Sequence, residues 1–381
     1  MSDLYTAKSI IVFVQDNGTK EYFSHLLPEL GIDDVAITTF SQWAFKILDI
    51  KFDFVDRYGA SEYEKDLYEF QKLKALKKIA KSGYSKNGAT NLLEKAYAKF
   101  FNKQQKILFQ RQMQAGVFDR IDLTLLLKIF FRSSGKLSTV KEYRVQGNTG
   151  KIKNKREINQ LEYSLVVVDE FQNYLPDQLK LLKSCLNEKS QSIVYVCDMA
   201  QQVKLGTIRE WDDMDEEMKQ DRKVILEKVY RNTKNILAFI KKLGYNIEIP
   251  EQLKEGSVVG EYILETKNQE IEKIKQIIEQ NEFNSIGILA KESEYLSEFR
   301  QVFAKNEKIH TMTMNESQGV EFDIVILVGI SADTFSVYAD IQEELAQEKK
   351  RINKDLMYVA LTRAISQLHI MGKERLENII F

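Results

Sequence analysis

The sequence has few of the residues that stabilise small secreted folds. Its two cysteines, Cys185 and Cys197, stand apart from each other and from any histidine cluster, so neither a disulfide framework nor a zinc site is indicated. No apolar run approaches the roughly 18 residues of a membrane span, and the first ten residues lack the features of a signal peptide. We expect a cytoplasmic protein without a membrane partner.

Proline is also scarce, with three residues among 381, which favours a helix-rich α/β architecture. The length predicts two or three domains. A composition of 44% hydrophobic and 29% charged residues is ordinary for a globular protein. The net charge of −1 makes no overall case for nucleic acid, although local basic clusters can still bind it.

The most informative absence is a motif. Residues 165–173 read LVVVDEFQN, an apolar strand pattern that runs into Asp169 and Glu170. Such a pair at the end of a buried strand typically holds Mg²⁺ and an attacking water near nucleotide phosphates, while two solvated acids in a turn are the structural alternative. A nucleotide site of this kind also requires a G-x-x-x-x-G-K-[ST] loop, and the sequence contains none.

Two stretches after the acidic pair place polar groups where a nucleotide can be sensed. IVYVCDMAQQ (193–202) is a strand pattern followed by Gln201, whose amide can touch a γ-phosphate or the attacking water. VYRNTKNI (229–236) places Arg231, after Tyr230, at the start of a helical pattern. The functional interpretation is a guanidinium on the γ-phosphate and a tyrosine beside the base; the alternative is a surface arginine and a core tyrosine.

The stretch TMTMNESQGVEFDIVILVG (311–329) leads through polar residues into another buried strand pattern. Gly319 permits close backbone approach. Glu321 can accept a hydrogen bond from a ribose hydroxyl, and Thr313 and Ser317 can contact a phosphodiester backbone.

The last motif lies on an amphipathic helix expected at 353–365, with Tyr358, Leu361 and Ile365 on one stripe. Arg363 lies away from that stripe. An exposed arginine on a rigid helix can serve as an arginine finger, which contributes roughly 10³–10⁵ in rate where it has been measured. An ordinary surface arginine is the alternative.

The rest of the chain alternates strand and helix patterns. Strands are expected at 9–14, 35–40, 165–168, 193–197, 285–289, 323–328 and 367–371, and helices at 19–30, 177–188, 234–243, 294–305 and 353–365. Residues 41–132 are almost wholly helical in pattern, 133–161 predict an exposed hairpin or loop, and a composition change near 212–223 predicts a domain boundary. This alternation implies parallel sheets with sites at the carboxyl ends of the strands.

In their order and spacing, these stretches closely resemble the helicase motifs of superfamily 1, UvrD/Rep-like branch. DEFQ resembles motif II, CDMAQ motif III, VYRN motif IV, ESQGVEFD motif V and YVALTRA motif VI, while LPELG followed by TTF leans toward the HelD-like subgroup. The resemblance implies an α/β fold of two RecA-like P-loop-NTPase-type domains with parallel sheets. The first, 1–222, is incomplete at its N-terminus and carries a helical insertion at about 45–135; the second is 223–381.

The resemblance also implies roles for individual residues. Around ATP these are Asp169 on Mg²⁺, Glu170 as activator of the water, Gln201, Arg231 and Arg363 around the γ-phosphate, Tyr230 near the base, Glu321 on the ribose, and Gly319 in the backbone beside them. On single-stranded nucleic acid they are Thr39, Phe40, Trp211, Thr313 and Ser317. Stacking of the Trp211 ring on a base is worth about 1–3 kcal/mol, and a core tryptophan is the alternative.

The implied function is an ATP-driven single-stranded DNA translocase or helicase, moving 3′ to 5′ as relatives in this branch do, with RNA not excluded. Cys197, Asn173 and Phe171 depart from the usual Gly, Asp and Ala, and the absent phosphate loop is the large departure. We therefore expect this chain alone to bind ATP poorly and hydrolyse it negligibly. Either it is part of a longer or split motor, in which a separate chain can supply the loop, or it has lost catalysis and kept binding.

Two other functions remain open. One is a non-hydrolysing nucleic-acid-binding or regulatory protein that uses the basic segments 72–86 and 141–156, although solvated faces are the alternative for both. The other is a HelD-like factor that recycles RNA polymerase. That function predicts long coiled-coil arms, and no stretch sustains several heptads.

Overall fold

The computed structural model describes residues 5–79, 83–146, 152–214, 222–224 and 231–379. The chain divides into two compact units. Unit 1 comprises Met1–Met199 and Lys204–Glu217, and unit 2 comprises Ala200–Val203 and Met218–Phe381. Both are mixed α/β units with parallel sheets. The assignment of 1–222 and 223–381 to RecA-like domains stays a prediction.

Unit 1 contains eight described strands and seven described α-helices. The strands are β1 (Ile10–Val14), β2 (Ala36–Thr39), β3 (Asp53–Phe54), β4 (Val117–Phe118), β5 (Ser138–Gln146), β6 (Ile152–Gln160), β7 (Leu165–Val168) and β8 (Ser192–Tyr195). The helices are α1 (Asn17–Glu29), α2 (Phe40–Leu48), α3 (Glu62–Lys77), α4 (Ala89–Tyr97), α5 (Lys103–Gln114), α6 (Arg120–Ser134) and α7 (Pro176–Lys183).

The main sheet of unit 1 is parallel, with the strand order β2-β1-β7-β8. One face is buried in a single hydrophobic core, to which the two central strands contribute Ile11, Phe13, Val166 and Val168. The residues between them are partly exposed and belong to none of the described cores: Ile10, Val12, Leu165 and Val167. On the edge strand β8, Val194 is 45% exposed. On that second face Val14, at the end of β1, is fully buried. The second face of the central strands is therefore covered only in part.

Helices α2 to α6 confirm the helical pattern predicted for 41–132. They join the core of the sheet through buried residues such as Trp43, Leu93, Leu108 and Leu125. Their boundaries follow capping residues: Asp119, for example, accepts hydrogen bonds from the backbone N–H groups of Ile121 and Asp122 at the start of α6. This region is therefore part of the core of unit 1.

The polar stretch at 133–161 forms the predicted hairpin. Strands β5 and β6 pair antiparallel over nine residues each, from Ser138 opposite Gln160 to Gln146 opposite Ile152. They form a separate two-stranded sheet. We call β5 and β6 the ribbon.

Unit 2 contains five described strands and five described α-helices. The strands are β9 (Gly260–Ile263), β10 (Ile286–Ala290), β11 (Ile309–Thr313), β12 (Phe322–Ile330) and β13 (Ala364–Gly372). The helices are α8 (Lys234–Lys242), α9 (Lys267–Gln280), α10 (Ser297–Phe303), α11 (Ala332–Phe335) and α12 (Glu343–Thr362). The sheet is parallel, with the order β11-β10-β12-β13-β9.

The sheet of unit 2 is buried on both faces. In β12, Val325 and Leu327 belong to one hydrophobic core, and Ile324, Ile326 and Val328 belong to another. Every residue of β10 is buried. The near-continuous apolar sequence of a central parallel strand is explained by this coverage on two sides.

Two expectations about the end of the chain were wrong in their boundaries. The helix predicted at 353–365 runs over Glu343–Thr362, and the following strand already begins at Ala364. In the sequence, Ile365 continues the helical spacing of apolar residues, but in the structure it lies in β13. Among the described residues, no helix is both long and apolar enough to pass through a lipid bilayer.

Candidate functional site

The acidic pair of unit 1 lies at the carboxyl end of β7, as predicted. The Asp169 backbone N–H donates to the Phe13 carbonyl at 2.9 Å, which continues the pairing of β7 with β1. Burial raises the pKa of Asp169, and a hydrogen bond from the backbone of Glu170 partly offsets this. Glu170 has a φ of 49°, in the left-handed region, so the chain turns sharply at this residue.

Two buried amides follow the acidic pair. The Gln172 side-chain amide donates to the Glu170 carboxylate, and the Asn173 amide donates to Gln15 at 3.4 Å. Among the described residues, Gln172 Oε1 and Asn173 Oδ1 are buried and have no hydrogen-bond partner. Buried acceptors of this kind usually find a partner. Both oxygens lie beneath the surface, beside the acidic pair.

Oxygen donors suit Mg²⁺, which is usually held by one or two carboxylates together with waters and substrate phosphates. Asp169 and Glu170 are carboxylates of this kind, and their predicted roles at Mg²⁺ stay predictions. Among the described residues, no group of three or more His, Cys, Asp or Glu side chains is placed to hold a metal ion. A metal site made by the described protein side chains alone is therefore not indicated.

The candidate nucleic-acid contacts of the β2 end prove mostly structural. Thr39 is buried and caps α2, accepting from the Gln42 backbone N–H at 3.3 Å. Phe40 is 8% exposed. The centroid of its ring lies 6.3 Å from that of Tyr174 in an edge-on arrangement and 5.8 Å from that of Trp43 in a tilted one. The ring of Phe40 is largely enclosed by aromatic neighbours, and its contact with a nucleic-acid strand stays a prediction.

Trp211 is partly buried and packs against the core of unit 1. Its ring lies 5.1 Å from that of Phe171, at an angle of 40°. One part of the indole therefore supports the residue that follows the acidic pair. A role in base stacking stays a prediction for the part that remains accessible.

Unit 2 gathers a basic group at the amino ends of β12 and β13. Arg231 pairs with Glu321 at 2.6 Å, with 65% of the arginine side chain and 26% of the glutamate side chain exposed. The next residue, Asn232, donates to the carbonyls of Thr362 and Ala364 at 2.9 and 2.7 Å. Asn232 therefore fixes the segment that carries Arg231 beside the junction of α12 and β13.

Arg363 lies at this same junction, but it is not exposed as predicted. It is 8% exposed, and its guanidinium donates to the carbonyls of Val359 at 3.1 Å and Val320 at 3.4 Å. Its own carbonyl accepts from Phe322 N–H at 3.0 Å, at the start of β12. The expectation was wrong because Arg363 caps α12 rather than standing on its outer surface.

Gln201 belongs to the same group because residues Ala200–Val203 pack with unit 2. Arg363 donates to the Gln201 side chain at 3.5 Å, and Gln318 donates to its backbone carbonyl at 3.4 Å. The neighbouring Gln202 accepts from Arg351 at 2.7 Å through its side chain. Val203, the last residue of the segment Ala200–Val203, packs in a hydrophobic core of unit 2.

The turn between β11 and β12 separates the remaining candidates. Thr313 exchanges hydrogen bonds with Glu316, receiving one at 3.2 Å and donating one at 2.9 Å. Ser317 is fully buried and donates to the Met314 carbonyl at 2.7 Å, and its contact with a phosphodiester stays a prediction. Gly319 has a φ of 84°, and a Cβ there would meet nothing within 4 Å, which leaves open space beside its backbone.

The structure therefore brings together Gln201, Arg231, Glu321 and Arg363, and it places Gly319 in the adjoining turn. We call Gln201, Arg231, Glu321 and Arg363 the basic group. Tyr230 lies outside the described residues. Sequence reasoning missed Asn232, which ties the segment of Arg231 to the junction of α12 and β13, and Arg351, which binds Gln202 beside Gln201. The asparagine directly after Arg231 was a signal for the first of these. A site at the carboxyl ends of the strands stays a prediction, whereas the basic group of unit 2 lies where β12 and β13 begin.

Residues 289–375 match the family described as UvrD-like helicase C-terminal domain. No curated protein matches the chain. The matched segment contains Glu321 and Arg363, whereas Gln201, Arg231 and unit 1 lie outside it. This match supports a relationship to UvrD/Rep-like superfamily 1 helicases. Because these are generally ATP-dependent enzymes that act on nucleic acid, it suggests a helicase-family function and nucleic-acid binding.

Proposed function

We propose that this chain supplies most of an ATP-dependent single-stranded DNA translocase or helicase, moving 3′ to 5′. The observation that carries the proposal is the basic group. Its four members lie far apart in the sequence, come from the resembling motifs III to VI, and meet at one edge of unit 2. Two of them lie within the matched helicase domain.

The cations of the basic group suit a phosphate chain, because guanidinium groups bind phosphate oxygens in two-pronged fashion. Arg231 is largely exposed, and its partner Glu321 is also accessible to water. A phosphate group can therefore replace Glu321 as the partner of Arg231. Arg363 is held by the carbonyls of Val320 and Val359, which fix its direction. We assign Arg231 and Arg363 to the γ-phosphate, Gln201 to its sensing and Glu321 to the ribose.

In unit 1, we assign Asp169 to Mg²⁺ and Glu170 to the proton of the attacking water. Hydrolysis of bound ATP would supply the free energy for movement along the strand. A raised pKa of Asp169 fits a carboxylate that a cation would stabilise in its charged form. Trp211 and Thr313 are assigned to the single strand, with RNA as an alternative to DNA.

The phosphate loop is proposed to come from outside these 381 residues. Without its backbone donors and lysine, Arg231 and Arg363 do not replace a nest of amide groups around the β-phosphate. The partly exposed apolar face of the unit 1 sheet supports this proposal, because parallel sheets are normally covered on both faces. A separate chain or a longer polypeptide can supply the strand, loop and helix.

Two measurements test these proposals. A fluorescence titration with a labelled single-stranded DNA 20-mer should give a binding constant that falls with salt, as expected for phosphate contacts. ATP turnover by the chain alone should be negligible with or without that DNA. The loop proposal is overturned by DNA-stimulated turnover that Glu170→Gln abolishes, and the motor proposal by absence of single-strand binding.

Restoring the loop separates a motor from a protein that only binds. A polypeptide extended by a strand, a G-x-x-x-x-G-K-T loop and a helix from the DNA upstream of the Met1 codon should regain turnover, and Arg363→Ala should remove it. A non-hydrolysing binding protein is the second candidate, favoured by the lack of the motif in this sequence. It predicts that the extended chain binds DNA and stays inactive.

A further inference from the structure

The ribbon is a second basic feature that the proposed function does not use. Its two strands of nine residues span about 30 Å. From Lys141 outward along β5 and throughout β6, the described side chains are exposed or, at Val145, partly exposed. Because an isolated two-stranded ribbon is only marginally stable in water, a ribbon of this length gains from a partner.

The charge of the ribbon differs from that of the chain. Residues 138–146 and 152–160 contain five basic and two acidic residues, whereas the whole chain has a net charge of −1. An excess of positive charge on one exposed element attracts a polyanion. The positions of the charges along the paired strands then indicate which kind of polyanion fits the ribbon.

Both acids lie in the fourth and fifth of the nine residue pairs, counted from the base of the ribbon at Ser138 and Gln160. Glu142 lies opposite Arg156, and Glu157 lies opposite Lys141. Each acid thus faces a cation across the strands, and cross-strand neighbours of opposite charge are favourable. The base of the ribbon is consequently close to neutral.

The distal half has cations without acids opposite them. Lys155 lies opposite Tyr143, and Arg144 lies opposite Asn154. Since neighbouring residues of a strand point to opposite faces, Tyr143 and Lys155 lie on one face and Arg144 on the other. All four are exposed, and the nearby Ile152 is 66% exposed. The distal half therefore presents a cation on each face.

We propose that the distal half of the ribbon binds in the major groove of double-stranded DNA, with Arg144 and Lys155 on the phosphates of its two walls. Cations on opposite faces suit a ligand that encloses the ribbon from both sides, whereas a flat anionic surface meets only one face. The major groove of B-DNA, about 12 Å wide, admits a two-stranded ribbon. Tyr143, on the face of Lys155, and Ile152, on the face of Arg144, then lie against the sugars of the same two walls. This contact lies beyond the single strand of the proposed function.

The experiment measures binding of the 381-residue chain to a fluorescein-labelled 20-base-pair DNA duplex between 50 and 200 mM salt. The test variant is Arg144→Glu/Lys155→Glu. Its matched control is Lys103→Glu/Lys106→Glu, which makes the same charge change at two exposed positions of α5 in the same unit. Loss of two phosphate contacts should lower the magnitude of the log–log salt slope by about 2 and weaken binding at least about tenfold.

The control variant should bind the duplex within about threefold of the parent chain. Both variants should unfold at the parent temperature, since the changed side chains are exposed. An RNA duplex of the same sequence should bind more weakly, because its major groove is too narrow for the ribbon. Binding of the single-stranded 20-mer should stay within about threefold for both variants.

Three results overturn the inference. One is the absence of duplex binding by the parent chain at 50 mM salt. The second is equal weakening by the ribbon and control variants, which would reduce the effect to net charge. The third is equal loss of single-stranded and duplex DNA, which would assign the ribbon to the translocated strand. None of these results depends on ATP turnover, so the proposed function is judged separately.

Discussion

The two parallel sheets of this protein have similar strand sequences and different surroundings. In unit 2, β12 alternates between two hydrophobic cores, so each face of the sheet is closed. In unit 1, β1 and β7 contribute every second residue to one core, and the residues between them, apart from the buried Val14, stay partly exposed. Runs such as IIVFV and LVVV are typical of strands buried on both faces. Unit 1 therefore has the sequence of a closed sheet but only one closed face.

The two units also treat buried charge differently. In unit 1, buried acids meet buried cations: Lys72 lies 2.6 Å from Asp119 and 2.9 Å from Asp122. In unit 2, the buried Glu270 accepts hydrogen bonds from the Tyr295 hydroxyl at 2.9 Å and the Gly329 backbone at 3.0 Å. Asp119 and Asp122 outweigh the burial of Lys72 and keep it charged, while burial and the nearby Asp122 raise the pKa of Asp119 to about 7. Glu270 has only neutral donors at these two contacts, which leaves it open to protonation.

The largest effect on stability is expected from Lys72→Met. Burial lowers the pKa of Lys72, but Asp119 and Asp122 outweigh that effect and raise it, so the ammonium stays charged. Removing it leaves two buried carboxylates without their cation, which should lower the free energy of unfolding by about 3–5 kcal/mol. Urea unfolding followed by circular dichroism measures this.

Lys106→Met on the exposed side of α5 is the matched control, expected to change stability by less than about 0.5 kcal/mol. A loss below about 1 kcal/mol for Lys72→Met would show that the network is not a structural requirement. The result also bears on the expectation that 72–86 binds nucleic acid, which is corrected for Lys72 because this residue is fully buried.

The next effect depends on pH. Burial raises the pKa of Glu270 to about 7, from an ordinary value of 4.5. The folded state therefore holds the proton of Glu270 more tightly than the unfolded state does. The resulting contribution to the free energy of unfolding is complete below pH 4.5 and is lost as pH rises through about 7. Glu270→Gln should remove that decline and make the protein about 1–3 kcal/mol more stable at pH 8.

Unfolding curves at several pH values between 4 and 8 would check this expectation. Glu279→Gln, an exposed change on the same helix α9, should follow the parent protein at every pH. An equal decline in stability for Glu270→Gln and the parent would assign the pH dependence to other groups.

The difference between the sheets themselves is tested by three identical changes. Val166→Ala in unit 1 and Val325→Ala in unit 2 each remove two buried methyl groups from a core, at a cost of about 2 kcal/mol. Val167→Ala, on the partly exposed face of unit 1, should cost less than about 1 kcal/mol. Equal losses at all three positions would mean that both faces of the unit 1 sheet are equally covered.

The same series can sharpen the proposal of an absent phosphate loop. In a polypeptide extended by the strand, loop and helix, Val167→Ala should become as costly as Val166→Ala if the added helix covers this face. An unchanged small cost would place the added segment elsewhere.

Strands and their apolar faces were readable from the sequence, because local alternation and β-branched runs set them. The strand Leu165–Val168 and the ribbon were predicted at or near their observed bounds. Side-chain exposure was not readable, because it depends on distant partners. Arg363 and Ser317 were expected at the surface, and contacts to Val320 and Met314 hold them inside. The four-residue β9 and the polar-rich α9 were also missed.

The smallest effect is expected at Arg231, and its small size would be informative. The pair with Glu321 is exposed, so Arg231→Ala should change the free energy of unfolding by less than about 0.5 kcal/mol. Asn232→Ala is the contrasting neighbour: it removes two hydrogen bonds to carbonyls from a buried side chain and should cost about 1–2 kcal/mol. Urea unfolding of both variants gives the comparison. A cost above about 1 kcal/mol for Arg231→Ala would make the pair a structural support. A negligible cost would leave Arg231 as a cation that the fold positions through Asn232 without relying on it for stability, which is the property expected of a ligand-binding residue.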